Sequence, residues 1–124
     1  MEQKKILLVD DDKDLCELYK TTLGAEGFKV KIAENGEQAL VEIMKEKPDL
    51  VILDIMMPKI HGIDTLDILK ATPETKDIKI LVLSALSDQK MIKRAKDFGA
   101  IDYIVKSEVD MSSMINRIKE ILEG

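Results

Sequence analysis

Tryptophan is absent, and only four aromatic side chains occur in 124 residues: Tyr19, Phe28, Phe98 and Tyr103. That is too few for a platform on which nucleic-acid bases could stack. Excess positive charge is also lacking. The net charge is −5, which argues against sequence-independent binding of DNA or RNA. Cys16 is the single cysteine, so an internal disulfide and a cysteine-rich metal site are both excluded, and a reducing, cytoplasmic setting fits. No apolar run approaches the length of a membrane span. The opening Met-Glu-Gln-Lys-Lys leads straight into an apolar stretch and lacks a signal-peptide pattern. The three prolines and six glycines do not cluster, and no repeat, low-complexity segment or linker is visible. The expectation is one domain over residues 1–124 with one core.

The chain does have short apolar runs that end on chemistry. Leu50, Val51, Ile52 and Leu53 precede Asp54, with Pro58 and Gly62 following. A brief run with β-branched residues and no polar face predicts a strand buried on both sides, as in a parallel sheet. Ile6 to Val9 repeats the pattern and is followed by Asp10, Asp11 and Asp12. Ile80 to Leu83 ends on Ser84, and Tyr103 to Val105 ends on Lys106. A further strand, Phe28 to Ile32, alternates with Lys29 and Lys31 and suits a sheet edge.

Helical spacing fills the gaps. Leu15, Cys16, Leu18, Tyr19 and Leu23 form the first helix, which acids at its start can cap and which ends near Ala25. Asn35-Gly36 reads as a turn, and Ala39, Leu40, Ile43 and Met44 line a second helix that Pro48 stops. Ile63, Leu66 and Leu69 predict a third, broken at Thr72–Thr75. The fourth starts at Ser87 or Asp88, has few apolar positions (Met91, Ile92, Ala95) and stops at Gly99. Met111, Met114, Ile115, Ile118, Ile121 and Leu122 give the fifth. Strand and helix alternate five times, which predicts an α/β fold with a five-stranded parallel sheet and helices on both faces.

In a parallel sheet all strand ends point to one rim, where open α/β folds bind ligands. Asp10, Asp11, Asp54, Ser84 and Lys106 therefore converge if their strands are neighbours. Crowded carboxylates need a counter-charge. A hard cation such as Mg²⁺ prefers oxygen ligands and often shares its site with phosphate. A carboxylate can serve as a nucleophile toward phosphorus. A metal, a lysine and a small hydroxyl are suitable donors for phosphoryl oxygens. Read alone, the triplet 10–12 leaves a helix cap open as an alternative to a ligand site; Asp54 and Lys106 weigh against that alternative.

Over essentially its full length the chain resembles a response-regulator receiver domain. Val9-Asp10-Asp11 is similar to the family's acidic pair. Asp54, four residues before Pro58 and eight before Gly62, is similar to its phosphoacceptor. Ser84-Ala85 matches its hydroxyl–alanine step, Tyr103 its switch aromatic and Lys106 its lysine. The resemblance implies a flavodoxin-like strand order 2-1-3-4-5. It implies Mg²⁺ held by Asp10, Asp11, Asp54 and the main-chain carbonyl of Met56. It implies a phosphoryl group passed to Asp54 from a histidine kinase or histidine phosphotransfer protein, with Ser84 and Lys106 bonding its oxygens. Ser84 and Tyr103 would switch the surface of the fourth helix, fifth strand and fifth helix, through which an effector or a second copy could bind. The chain would be a phosphorelay module with self-directed chemistry and not an enzyme acting on other molecules. The alternatives are a Mg²⁺-dependent phosphatase, which would need a second acid that Asp54-Ile55-Met56 does not supply, and a pseudo-receiver that only binds partners.

Several positions depart from the commonest family pattern. Ser107 replaces the usual proline after the lysine, leaving the Lys106–Ser107 bond open between trans and a costly cis form. His61 stands where an acid is frequent and reads as a solvated loop residue. Met56 and Leu86 lie two residues beyond Asp54 and Ser84 and offer no hydrogen bond to an attacking water, so slow loss of the phosphoryl group is expected. Asp12 reads as a helix cap, Cys16 as a small buried hydrophobe, and Met91, Met111 and Met114 as core filler. Met56-Met57 is a candidate partner contact beside the site.

Overall fold

The computed structural model describes residues 3–55 and 62–123. Five strands, β1 (Lys5–Val9), β2 (Lys29–Ala33), β3 (Leu50–Leu53), β4 (Lys79–Ser84) and β5 (Asp102–Val105), alternate with five helices. The helices are α1 (Lys13–Ala25), α2 (Gly36–Lys45), α3 (Gly62–Ala71), α4 (Gln89–Asp97) and α5 (Met111–Glu123). All strand pairings are parallel, in the order β2-β1-β3-β4-β5. This is the flavodoxin-like order, and the chain crosses from one side of β1 to the other between β2 and β3.

The apolar runs account for the sheet's interior. Every residue of β3 is buried, because helices cover both of its faces. Leu7, Val9, Val51, Leu53, Ile80 and Val82 face α2, α3 and α4. Ile6, Leu8, Leu50, Ile52, Leu81 and Leu83 face α1 and α5. In α5 the buried stripe is Met114, Ile118 and Ile121, each burial stabilising by roughly 1.5–3 kcal/mol. The edge strand β2 keeps Lys29 exposed and Lys31 half-exposed, a polar margin that discourages pairing with another chain.

Local chemistry departs from the sequence reading in a few places. Asn35 is not a free turn residue; its side chain accepts from Gln38 N at 2.9 Å and starts α2 immediately at Gly36. Met44 and Leu18 do not join the core, since the helix faces that meet the sheet are centred on Ala39/Ile43 and on Cys16/Tyr19/Leu23. Asp88, not Ser87, caps α4. β2 runs one residue later than its alternation suggests. Gly99 follows α4 at φ 103°, a left-handed turn where a Cβ would meet the Lys70 side chain at 3.1 Å. The Lys106–Ser107 bond is trans, and residues 106–108 close into a short 3₁₀ turn that proline geometry did not impose. Met56, Met57, Pro58 and His61 lie outside the described residues.

Candidate functional site

Register builds the site. Val9 is level with Leu53, so the next residues, Asp10 and Asp54, leave adjacent central strands side by side. Each is tied to its neighbour's backbone: Asp10 N donates to Ala33 O at 3.0 Å and Asp54 N to Val9 O at 2.9 Å. Ser84 is level with Val105, which places Lys106 one residue past the hydroxyl. The carboxylates of Asp10, Asp11 and Asp54 offer oxygens that all lie within 4.8 Å of one another.

Burial gives this cluster its energy. Asp10 is 2% exposed and Asp54 6%, whereas Asp11 faces solvent. Two like charges at such a separation repel by on the order of 3 kcal/mol at an effective dielectric of about 20. The Lys106 ammonium relieves this by reaching both, at 2.8 Å from Asp10 Oδ2 and 3.3 Å from Asp54 Oδ2. Burial works against the charged lysine, but the bond to Asp10 and the charges of Asp54 and Asp10 outweigh it and raise its pKa above the ordinary 10.5. Among the described residues no buried side-chain nitrogen or oxygen is left without a hydrogen bond.

Asp10 is held from further sides. Asp12 N donates to Asp10 Oδ1 at 3.1 Å, while the Asp12 carboxylate accepts from Leu15 N and caps α1. The Cys16 thiol donates to the Asp10 carbonyl at 3.4 Å. Asp12 caps α1 and Cys16 is a small buried hydrophobe, as expected, and both also fix Asp10. The Asp-x-Asp spacing hints at the first bond. The second arises because the first turn of α1 lies beneath the end of β1, which spacing alone does not reveal.

Ser84 is completely buried, and its Oγ accepts from Leu86 N at 3.2 Å. The Tyr103 ring is buried and its hydroxyl donates to Leu86 O at 2.8 Å. Burial raises the Tyr103 phenol pKa, with Asp54 and Asp88 adding to the rise and a hydrogen bond to Ser84 opposing it. Leu86, on the loop into α4, is thus clasped by both. The predicted Asp10, Asp11, Asp54 and Lys106 come together directly, and Ser84 and Tyr103 are linked to each other through the Leu86 backbone. Met56, the remaining member, lies outside the described residues.

The donor set fits a hard divalent cation: three carboxylates, two of them buried, bring their oxygens together, and the Lys106 ammonium reaches only Asp10 and Asp54 of the three.

Known proteins match this arrangement. A family described as response regulator receiver domain matches residues 6–119. The transcriptional regulatory protein CpxR of Escherichia coli (strain K12) is 42% identical over 118 residues, covering 95% of this chain and 49% of that protein. The DNA-binding response regulator MtrA of Mycobacterium leprae (strain TN) is 38% identical over 104 residues, covering 84% and 45%. The chain thus spans about half the length of these curated relatives. The BeF3-activated N-terminal receiver domain of Klebsiella pneumoniae RstA superposes with a TM-score of 0.90 at 30% identity, over 98% of this chain and all of that one. No helix among the described residues is long and apolar enough to cross a membrane. Strand order, acidic rim and sequence matches agree: the chain belongs to the response-regulator receiver domains, the phosphoacceptor modules of two-component signalling.

Proposed function

We propose that residues 1–124 form a receiver module in which Asp54 accepts a phosphoryl group from the phosphohistidine of a histidine kinase or phosphotransfer protein. The observation that carries this is the single Lys106 ammonium shared by the buried Asp10 and Asp54 carboxylates. An oxygen of Asp54 forms the new bond to phosphorus as the phosphorus–nitrogen bond breaks, and its electron pair returns to the imidazole. Asp10, Asp11 and Asp54 would hold Mg²⁺, with the main-chain carbonyl of Met56 as a further donor. When bound, the ion neutralises charge on the phosphoryl oxygens. Lys106 bonds one of those oxygens. Ser84 supplies its hydroxyl to another, which requires it to turn from Leu86 N.

That turn is the switch. Ser84 and Tyr103 both grip Leu86, so drawing Ser84 toward Asp54 loosens the loop that leads into α4. The face formed by α4, β5 and α5 changes with it, and an effector or second copy binds there. The protein works in the cytoplasm, and its chemistry is confined to its own phosphorylation and dephosphorylation. Leu86 places no polar side chain beside the site, so the phosphoryl group persists. Leu86→Glu is expected to hasten its decay, and an unchanged half-life would remove that explanation.

Incubation with a small phosphodonor and Mg²⁺, followed by intact-mass measurement, tests the reading. One phosphoryl adduct is expected, lost in Asp54→Ala and on chelation of Mg²⁺. Turnover of a separate phosphate ester without an adduct would favour the phosphatase alternative.

A further inference from the structure

Asp12 stands beside the acidic rim without joining it. The carboxylates whose oxygens gather within 4.8 Å are those of Asp10, Asp11 and Asp54, and Asp12 is not among them. Asp12 is exposed and its side chain is turned to the helix that follows. It nevertheless links that helix to the buried Asp10. The Asp12 carboxylate accepts from Leu15 N at 3.1 Å and starts α1. This bond keeps residue 12 extended, at φ −83° and ψ 102°, and from there its N–H donates to Asp10 Oδ1 at 3.1 Å.

The other oxygen of Asp10 is taken by Lys106, whose ammonium lies 2.8 Å from Oδ2. Asp10 is 2% exposed, so bulk water does not readily stand in for either partner. Together the two bonds fix the rotation of the carboxylate, with one oxygen toward α1 and the other toward the rim. A ligand's orientation is set by such outer partners, and metal affinity depends on it. The first turn of α1 secures Asp10 once more. Cys16 N donates to Asp12 O at 3.0 Å, which closes that turn, and the Cys16 thiol then reaches the Asp10 carbonyl at 3.4 Å.

We propose that Asp12 is a positioning residue for the metal site. By capping α1 it holds its own N–H against Asp10 Oδ1 and so aims Asp10 at the cation, without touching the ion itself. The inference rests on the receiver reading, in which Asp10 is a Mg²⁺ ligand. Two other accounts of Asp12 make different predictions. A plain helix cap stabilises the fold and leaves the ion alone. A source of negative charge draws Mg²⁺ to the rim whatever its hydrogen bonds. Asparagine separates these, since it caps a helix about as well as aspartate and carries no charge.

The test uses the full chain and three variants. Asp12→Ala removes the cap and Asp12→Asn keeps it. Asn35→Ala removes a cap of the same kind from α2, where Asn35 accepts from Gln38 N at 2.9 Å. Calorimetric titration reads Mg²⁺ affinity, melting in EDTA reads stability, and NMR reads the amide proton of residue 12. Asp12→Ala is expected to bind Mg²⁺ roughly tenfold more weakly, the low end for losing a group that orients a metal ligand. Its residue-12 amide proton should move upfield as the bond to Asp10 is lost. Asp12→Asn should stay within about twofold of the parent, because an exposed charge contributes little, and should keep the amide shift. Asn35→Ala should melt lower, as Asp12→Ala does, yet bind Mg²⁺ like the parent. Parent-like affinity in Asp12→Ala overturns the proposal in favour of a plain cap. An equal loss in Asp12→Asn overturns it in favour of charge, and an equal loss in Asn35→Ala in favour of general loosening. The parent separates the failures. If it binds Mg²⁺ and gains a phosphoryl group by intact mass, and Asp12→Ala does both equally well, the positioning role alone is refuted. A parent that binds no Mg²⁺ refutes the reading beneath it.

Discussion

Two charge clusters sit near the sheet and behave differently. At the carboxyl ends of the strands one ammonium, Lys106, serves two carboxylates. By the β2 edge one carboxylate, Glu46, faces three ammoniums, with Lys31 at 3.2 Å, Lys29 at 3.4 Å and Lys5 at 3.5 Å. Counted as ion pairs, the second is richer. Yet the Lys106 side chain is 20% exposed and its partners 3% and 8%, whereas the Glu46 knot is 30–48% exposed throughout. Water screens the knot and leaves each of its members replaceable. The rim has exchanged water for fixed partners, so adding or removing a charge there must be compensated. The knot trims a sheet edge, and the rim can do chemistry.

The sharpest way to break that contrast is Lys106→Met. Without the ammonium, the like charges of Asp10 and Asp54 lose the cation they share. In the absence of divalent cations, unfolding free energy should fall by about 3 kcal/mol, the lower end for a broken buried pair because Asp11 opens the cluster to water. The same variant should bind Mg²⁺ more tightly, since the ion no longer competes with an internal cation. Denaturant melts with and without Mg²⁺ read both effects. Equal loss of stability in the two conditions would mean the rim is not a cation site. The pH dependence has a fixed sign: the raised pKa of Lys106 makes its contribution complete below the ordinary 10.5 and lost as pH climbs through the folded value.

This rim was legible because each member closes a run of apolar residues that the eye finds in the chain. Ile6–Val9 and Leu50–Leu53 are buried on both faces, so their parallel packing follows from composition, and Asp10 and Asp54 arrive together once the strands are adjacent. Adjacency itself depended on the resemblance, since alternation of strand and helix permits several orders. What stayed hidden depends on three-dimensional placement. Met44 fits a helical stripe, yet α2 presents Ala39 and Ile43 to the sheet because Asn35 fixes where its first turn begins. The trans Lys106–Ser107 bond follows from serine in place of proline, since a cis bond there is costly, whereas the 3₁₀ turn over residues 106–108 carries no local sequence signal.

A smaller effect measures how far the rim's influence reaches. The Cys16 thiol is pushed up to about 12 by burial first, then by the charges of Asp10 and Asp12, with Lys106 pulling the other way. A folded pKa above the ordinary 9.0 means the unfolded chain ionises first. Stability should therefore decline as pH rises from 9.0 toward about 12. Cys16→Ala should flatten that part of the profile, leaving the decline due to Lys106. It should also slightly weaken Mg²⁺ binding, because the thiol no longer holds the Asp10 carbonyl. A profile identical to the parent would place the alkaline sensitivity elsewhere on the chain.

The least effect belongs to Glu46→Gln. The bond from Lys31 comes first in lowering the Glu46 pKa, and the charges of Lys29, Lys31 and Lys5 add to it. Its contribution is therefore present above the ordinary 4.5 and lost as pH falls through the lower folded value, opposite in direction to the rim. Three cations suggest strength, but each is exposed, and moderate salt screens interactions beyond roughly 8–10 Å while weakening nearer exposed pairs. The expected outcome at neutral pH is a melting temperature barely below the parent's in dilute buffer and indistinguishable from it in physiological salt. A loss as large as that from Lys106→Met, persisting in salt, would show that the number of charges outweighs their burial.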